Sequence, residues 1–327
     1  MMGELQMKKI LVTLTRKEEE IVPKAIADFC SLNNDYEVMA LFNDTEIGEA
    51  KLCERIKDVD AFIFGMEHVT ETVLAAAPKL KILCKFGVGL DKIDLQAAFR
   101  RQVAVTNAPG MNSNAVAELA FGLMFALARQ IPQSNMEMRH RIWHALPGTE
   151  IAQKTLGIIG MGAIGKLLAK YARAFDMKVL AYDLFTNEAA AQELGFEYVE
   201  FDEILKEADY LSLHIPGDNF TKNLIGWEQL TAMKPTAYLI NTARGSVVDE
   251  DALYQALETE VIAGAAIDSF ATEPPFDSKL LTSDKVIAMP HTGACTDEAN
   301  DRVIRYSLQN AKDFLEGKTP LNQIKLH

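Results

Sequence analysis

The most constraining feature of this chain is the run Thr155-Leu-Gly-Ile-Ile-Gly160-Met-Gly162-Ala163-Ile164-Gly165. An apolar strand pattern runs into three glycines spaced GxGxxG and leaves as the helical pattern Lys166–Phe175. Each glycine has a steric task. Gly160 permits a tight turn, Gly162 lets a pyrophosphate approach the backbone, and Gly165 lets the helix lie close on the strand. The helix N-terminus that follows offers unpaired N–H groups and a partial positive charge to the phosphates, and Ala163 and Ile164 of the loop are counted with the cofactor site. Glycine-rich turns also arise for packing reasons, so context decides. A second strand pattern, Lys178–Ala181, leads to Asp183, about 20 residues past the last glycine, where an acid grips the ribose hydroxyls of an adenosine. The next residues, Leu184-Phe185-Thr186-Asn187, offer no base for a 2′-phosphate. The segment reads as a dinucleotide site favouring NAD over NADP.

Strand and helix patterns alternate on both sides of this loop. Before it come Lys8–Thr13, Glu37–Phe42, Asp60–Phe64, Lys81–Lys85 and Val103–Thr106 as strands, with Val22–Leu32 as a helix. From the loop onward come Thr155–Ile159, Lys178–Ala181, Tyr210–Leu213, Ala237–Ile240, Ala263–Ile267 and Val286–Ala288, then a last helix over Thr296–Leu315. This is the signature of α/β parallel sheets, and 327 residues suit two domains. Between the two series, Asn107-Ala-Pro-Gly110 punctuates the chain. Ser113 then opens Asn114–Ile131, a helix apolar on nearly every side that calls for burial between domains or subunits. Pro132 marks its end, and Gln133–Gln153, with Trp143 and Pro147-Gly148, reads as irregular.

Composition narrows the function classes. The chain is 49% hydrophobic and 24% charged, which excludes wholesale disorder. A formal charge of −13 disfavours nucleic acid and anionic membrane surfaces as partners. Cys30, Cys53, Cys84 and Cys295 are scattered, arguing against a structural metal site or a disulfide framework. The first nine residues lead into no long apolar core of a signal peptide. The stretch Ala115–Ala128 contains Glu118 and falls short of the roughly 20 residues that span a bilayer. The expectation is a reduced, cytoplasmic protein with no metal, nucleic-acid or membrane partner.

Three strand patterns run directly into chemically useful residues. Ala237–Ile240 leads to Asn241-Thr242-Ala243-Arg244, Ala263–Ile267 to Asp268 and Glu273, and Val286–Ala288 to His291. In an open parallel sheet such ends face one crevice, where ligands bind. The set suits hydride transfer beside a nicotinamide. A histidine takes the proton of an alcohol, a carboxylate on its other ring nitrogen sets the tautomer and stabilises the imidazolium, and an arginine holds a substrate carboxylate. Each residue alone is more often structural. All three beside a dinucleotide loop are much less so.

The ordered motifs GxGxxG, Asp183, Asn-Thr-Ala-Arg-Gly, Asp-x-Phe-x-x-Glu-Pro-Pro and Pro-His-x-Gly-Ala resemble those of the NAD-dependent D-isomer-specific 2-hydroxyacid dehydrogenases. Lys85-Phe-Gly-Val-Gly-Leu-Asp91 and Asn107-Ala-Pro-Gly-Met-Asn-Ser-Asn-Ala-Val-Ala-Glu118 are similar too, so the resemblance spans almost the whole chain. It implies two Rossmann-like or flavodoxin-like parallel-sheet domains with a deep cleft between them. Residues 1–106 and 293–327 would form a discontinuous substrate domain, and 107–292 the NAD-binding domain. Arg244, Glu273 and His291 match the catalytic set. Gly87, Val88 and Gly89 match the substrate-carboxylate loop, an anion nest of backbone N–H groups. Asp268 matches the acid that holds the nicotinamide carboxamide. Thr242 and Ala243 lie in the turn at the nicotinamide ribose, His214 and Pro216 beside the adenosine, and Gly293 beyond the histidine. The apolar helix implies a homodimer.

Within the family, the 107–118 run and the segment before the glycine loop look most like the D-3-phosphoglycerate dehydrogenase branch, which acts in serine biosynthesis. Its usual cations are thin here, since Phe64-Gly65-Met66-Glu67 and His144-Ala145-Leu146 stand where arginines or other bases are frequent and Lys85 is left as the phosphate contact. A C-terminal serine-sensing domain is not expected. The alternatives are a hydroxypyruvate or glyoxylate reductase and, more remotely, an NAD(H)-sensing regulator of the corepressor type.

Overall fold

The computed structural model describes residues 7–44 and 46–325. Its contacts divide the chain into two units, Met1–Asn112 with Cys295–His327, and Ser113–Ala294.

The first unit is built on five parallel strands: β1 (Lys8–Thr15), β2 (Tyr36–Asn43), β3 (Ala61–Phe64), β4 (Ile82–Lys85) and β5 (Ala104–Thr106). Their order is β2-β1-β3-β4-β5, the flavodoxin-like winding. Registers Ile10↔Ala61↔Ile82 and Leu11↔Phe62↔Leu83 stack alternate residues on opposite faces. Leu11, Phe62, Phe64, Leu83 and Val105 face one core with Leu52, Val73 and Ala97 from three short helices. Ile10, Val12, Ile63, Ile82 and Cys84 face the other, with Val22 and Ala25 from the helix Val22–Leu32. Ile304, Leu308 and Ala311 join them from Asp297–Leu315, so the last helix returns to the first sheet. Thr296 starts that helix by accepting the Ala299 N–H at 3.1 Å. Strands apolar on both faces are what a sheet covered on both sides requires.

The second unit carries seven parallel strands: β6 (Thr155–Ile159), β7 (Lys178–Tyr182), β8 (Glu197–Tyr198), β9 (Tyr210–Leu213), β10 (Tyr238–Asn241), β11 (Gly264–Ile267) and β12 (Val286–Ala288). The order β12-β11-β10-β9-β6-β7-β8 is the Rossmann winding with one further strand. The helices Ser113–Ala128 and Ala163–Ala174 cover one face, on Leu156, Ile158, Val179 and Ile240. Helices at 201–207, 227–232 and 250–258 cover the other, on Leu180, Leu211, Leu239 and Ile267.

Two sequence expectations need correction. The apolar helix ends at Ala128, not Ile131, and a separate helix, Ile131–Arg139, occupies part of the stretch read as irregular. Gln130 sits in the left-handed region at φ 48° and breaks the first helix, while Pro132 is in the first turn of the second. There proline opens a helix, because the N–H it lacks would have no partner. No residue of the second helix is buried, so it has no apolar stripe for a pattern to reveal. The two-residue β8 also went unread, being too short to show alternation. No single described helix is long and apolar enough to cross a membrane.

Candidate active site

The site grows out of the point where the strand order of the second sheet reverses, between β6 and β9. Gly160 follows β6 with φ 99°, and a Cβ there would lie 2.5 Å from the His214 carbonyl oxygen. A Cβ on Gly165 would lie 2.2 Å from the Gly160 carbonyl oxygen, so only glycine lets helix and turn meet. A Cβ on Gly162 would meet nothing within 4 Å. Packing therefore demands the first and third glycines, and the second opens onto space. Ala163 and Ile164 begin the helix that follows.

Asp183 sits just beyond β7 and is no idle surface carboxylate. Its Oδ2 accepts the Met161 N–H at 2.7 Å and its Oδ1 the Phe185 N–H at 3.0 Å. It braces the glycine loop and keeps a second lone pair on each oxygen. Beyond β9, His214 Nε2 lies 2.9 Å from Ser212 Oγ, and burial pushes the ring down to about 4, so it is neutral at pH 7. Its Nδ1 is buried without a hydrogen-bond partner, as is Thr242 Oγ1 beyond β10. A buried polar atom left unsatisfied costs about 1–3 kcal/mol. Pro216 follows in a turn held by the Thr221 hydroxyl, which donates to the Pro216 carbonyl at 2.7 Å. Open space at Gly162, unpaired N–H groups at a helix start and two orphaned polar atoms all fit a dinucleotide.

The remaining strand ends bring the other chemistry. At the turn after β10, Asn241 Oδ1 accepts the Ala243 N–H at 3.0 Å and its Nδ2 donates to the Arg244 carbonyl at 2.9 Å. Arg244 Nη1 donates to the Ala243 carbonyl at 2.8 Å, which leans the guanidinium along the turn. A Cβ on Gly245 would collide with the Phe270 backbone at 1.9 Å, so the turns after β10 and β11 touch. Asp268, 1% exposed, clamps the turn after β12. Its Oδ1 accepts the Thr292 N–H at 2.7 Å, its Oδ2 the Gly293 N–H at 2.9 Å, and its carbonyl the His291 N–H at 2.9 Å. His291 is thereby held at φ 53°, a conformation a non-glycine residue keeps only where its surroundings impose it. Its Nδ1 lies 3.0 Å from both Glu273 oxygens and 3.4 Å from Ser269 Oγ. Burial raises the Glu273 carboxyl, but His291, the Phe270 N–H and the Arg244 charge outweigh it and hold the group below its ordinary value. An ionised carboxylate thus occupies one ring nitrogen and leaves Nε2 for proton transfer.

In the first unit, Gly87 follows β4 at φ 130°. The Ala108 N–H donates to the Gly87 carbonyl and Asn107 Nδ2 to the Val88 carbonyl, both at 2.8 Å, so Gly87 and Val88, which precede Gly89, are anchored through carbonyl oxygens. Lys85 Nζ donates to the Gly65 carbonyl at 2.5 Å and lies 3.4 Å from the Phe86 carbonyl. Sequence reasoning missed several participants. Ser212 and Ser269 are small hydroxyls inside apolar segments, with no spacing to mark them as partners of histidines. Glu67 looks like a solvated loop acid in sequence, yet it is 2% exposed. Only its place directly after an apolar strand hinted otherwise.

Residues 121–293 match the family profile "D-isomer specific 2-hydroxyacid dehydrogenase, NAD binding domain". D-3-phosphoglycerate dehydrogenase of Methanocaldococcus jannaschii is 40% identical over 286 residues, 86% of this chain and 55% of that protein. The chain thus spans about half the length of this relative, and 50% of a second D-3-phosphoglycerate dehydrogenase, from Synechocystis. Glyoxylate reductase of Thermococcus litoralis is 40% identical over 283 residues, 84% of this chain and 86% of that protein. An NAD-complexed D-isomer-specific 2-hydroxyacid dehydrogenase from Lactobacillus delbrueckii superposes with a TM-score of 0.79 at 28% identity, over 97% of this chain and all of that one. Profile, relatives and fold agree with the strand-end chemistry, and the chain belongs to the D-isomer-specific 2-hydroxyacid dehydrogenase family.

Proposed function

We propose that this chain is an NAD-dependent oxidoreductase that interconverts a small, unphosphorylated D-2-hydroxy acid and its 2-oxo acid, of the hydroxypyruvate or glyoxylate type. The observation that carries the chemistry is the pair Glu273–His291 at 3.0 Å, held on strand ends of the sheet that bears the glycine loop. Bound NAD supplies the two-electron chemistry, as hydride acceptor in oxidation and, when reduced, as donor. The protein supplies the rest. His291 Nε2 takes the hydroxyl proton during oxidation and returns it during reduction, while Glu273 stabilises the imidazolium. Arg244 holds the substrate carboxylate with its planar fork of donors and polarises the carbonyl. The second unit holds NAD. Gly87, Val88 and Gly89 form the substrate-carboxylate loop that the family resemblance assigns, acting through backbone N–H groups. Gly160, Gly162, Ala163, Ile164 and Gly165 take the pyrophosphate, and Asp183 the adenosine ribose. His214 and Pro216 line the adenosine side, Thr242 and Ala243 the nicotinamide ribose, and Asp268, with Gly293, the carboxamide. Asp183 and the absence of a base at 184–187 support NAD over NADP.

The unphosphorylated substrate is supported by where the nearby cations go. Lys85 and Lys92 donate to the Gly65 and Met66 carbonyls at 2.5 and 2.8 Å, and Lys92 also reaches Glu46 at 3.5 Å. A phosphate dianion needs one or two uncommitted cations. The 107–118 resemblance and the D-3-phosphoglycerate dehydrogenase relatives favour the phosphorylated acid as second reading. NADH consumption with 3-phosphohydroxypyruvate, hydroxypyruvate, glyoxylate and pyruvate, each alone, separates the two. Preference for hydroxypyruvate or glyoxylate is expected, and preference for the phosphorylated acid overturns that part of the proposal. The unit also works as a homodimer in this reading. Ile142 and Trp143 are 51% and 90% exposed, and the partly exposed Phe121, Phe125 and Phe175 of the same unit meet edge to face with ring centres 5.1–5.4 Å apart. Sedimentation at micromolar concentration checks it, and a monomer would remove it.

A further inference from the structure

Glu67 lies two residues beyond Gly65, whose carbonyl receives the Lys85 ammonium. It follows β3 and is 2% exposed, beside Thr13 of β1, which is wholly buried. One carboxyl oxygen, Oε2, has no hydrogen-bond partner. Burial raises this carboxyl above its ordinary value. Backbone N–H groups and the Lys85 charge pull the other way. Mechanism and core packing leave the group unexplained, since an apolar side chain or glutamine would fill the space without the cost of burying a charge. Lys85, in turn, stands at the foot of the substrate loop, its Nζ 4.0 Å from where a Cβ on Gly87 would lie. Glu67 and Lys85 are thus opposite charges on neighbouring strand-end turns, linked through Gly65, whose carbonyl receives the ammonium two residues before Glu67.

We infer that Glu67 is a specificity-determining positioning residue: its buried carboxylate balances Lys85 and keeps that ammonium on the Gly65 carbonyl, so that substrates with a second anionic group are disfavoured. The inference rests on the proposed assignment of Gly87–Gly89 to the substrate. A unit charge removed about 12 Å from a phosphate charge, at an effective dielectric of about 20, shifts affinity by about tenfold.

The test uses Glu67→Gln and measures two ratios. One is kcat/KM for 3-phosphohydroxypyruvate over hydroxypyruvate. The other is the calorimetric affinity for 3-phosphoglycerate over D-glycerate, which needs no turnover. Both ratios should rise about tenfold in Glu67→Gln and return toward wild type in Glu67→Asp. Lys85→Gln should move them the opposite way, because it leaves the Glu67 charge uncompensated, and it keeps the test alive if Glu67→Gln folds poorly. Normal turnover with both ratios unchanged in folded Glu67→Gln removes the inference and spares the proposed function. No turnover on any oxo acid, with the binding ratio still shifted, removes the proposed reaction and spares the role of Glu67.

Discussion

Beyond β9 and β10 the second sheet leaves His214 Nδ1 and Thr242 Oγ1 buried without partners, whereas beyond β3 and β4 the first sheet closes Lys85 onto the Gly65 and Phe86 carbonyls. Both sheets are parallel, covered on two faces and wound outward from a central strand. Their carboxyl edges nevertheless hold opposite kinds of chemistry. One keeps polar groups in reserve that a bound dinucleotide would satisfy. The other also leaves Thr13 Oγ1, Asn43 Nδ2 and Glu67 Oε2 without partners, but it sets a cation, Lys85, against the Gly65 carbonyl. Winding decides where a ligand goes, and under the inference drawn for Glu67 the charges of the strand-end turns decide which ligand is accepted.

If the second edge carries the reaction, its largest dependence is on His291. His291→Ala should lower kcat by about 10²–10⁴-fold while NADH affinity, read by fluorescence, stays near wild type. Undiminished turnover would remove the histidine from the mechanism. Glu273→Gln comes next. It keeps the volume but removes the charge on Nδ1 and offers the ring a donor, so a loss of about 10²-fold in kcat is expected from misorientation alone. Its pH dependence has a definite sign. The wild-type carboxyl sits below its ordinary value, so whatever stability it contributes is complete above the unfolded value and is lost as pH falls through the folded one. Denaturant midpoints compared near neutrality and in acid should therefore draw together for wild type and Glu273→Gln. Midpoints that stay parallel would contradict the ionised pair.

Asp183 probes the cofactor side with a smaller effect. Asp183→Ala removes two acceptors, one serving Met161 of the glycine loop and one serving Phe185 beyond β7, along with the ribose contact. NAD affinity should fall by about 10- to 150-fold, from the loss of a charge-assisted bond worth about 1.5–3 kcal/mol, and the advantage over NADP should narrow. Titration with both cofactors measures it. Equal NAD and NADP affinities in the wild type would contradict the role given to the acid.

The two edges also differ in how far sequence exposed them. The second was legible because its parts obey spacing rules: GxGxxG before a helix, an acid one strand later, and Arg244, Glu273 and His291 directly after strand patterns. Sheet topology alone converges them, so no contact had to be guessed. The first was legible only in its strands. That Glu67 is buried, and that Lys85 is turned onto Gly65, depends on the packing of β1, β3 and β4, and no periodicity reports the direction of a loop side chain. The helix Ile131–Arg139 escaped for a related reason. With no buried residue, it carries no stripe, and its proline signals an ending as readily as a beginning.

The smallest expected effect bears on the reserve of unsatisfied groups itself. Burial lowers His214 to about 4 against an ordinary 6.5. The folded protein therefore refuses a proton that the unfolded chain accepts between those two values. Stability from the neutral ring is complete above pH 6.5 and declines as pH falls toward 4, because the unfolded state binds more protons throughout that window. Only part of the window is accessible before carboxylates titrate. Between pH 7.5 and 5.5 the stability difference between wild type and His214→Asn should change by about 1 kcal/mol, the wild type losing ground on acidification. Urea unfolding of both proteins without cofactor, at each pH, measures it. A pH-independent difference would mean that the ring is solvated or paired in the free protein, and the reserve of unsatisfied groups at this edge would then rest on Thr242 alone.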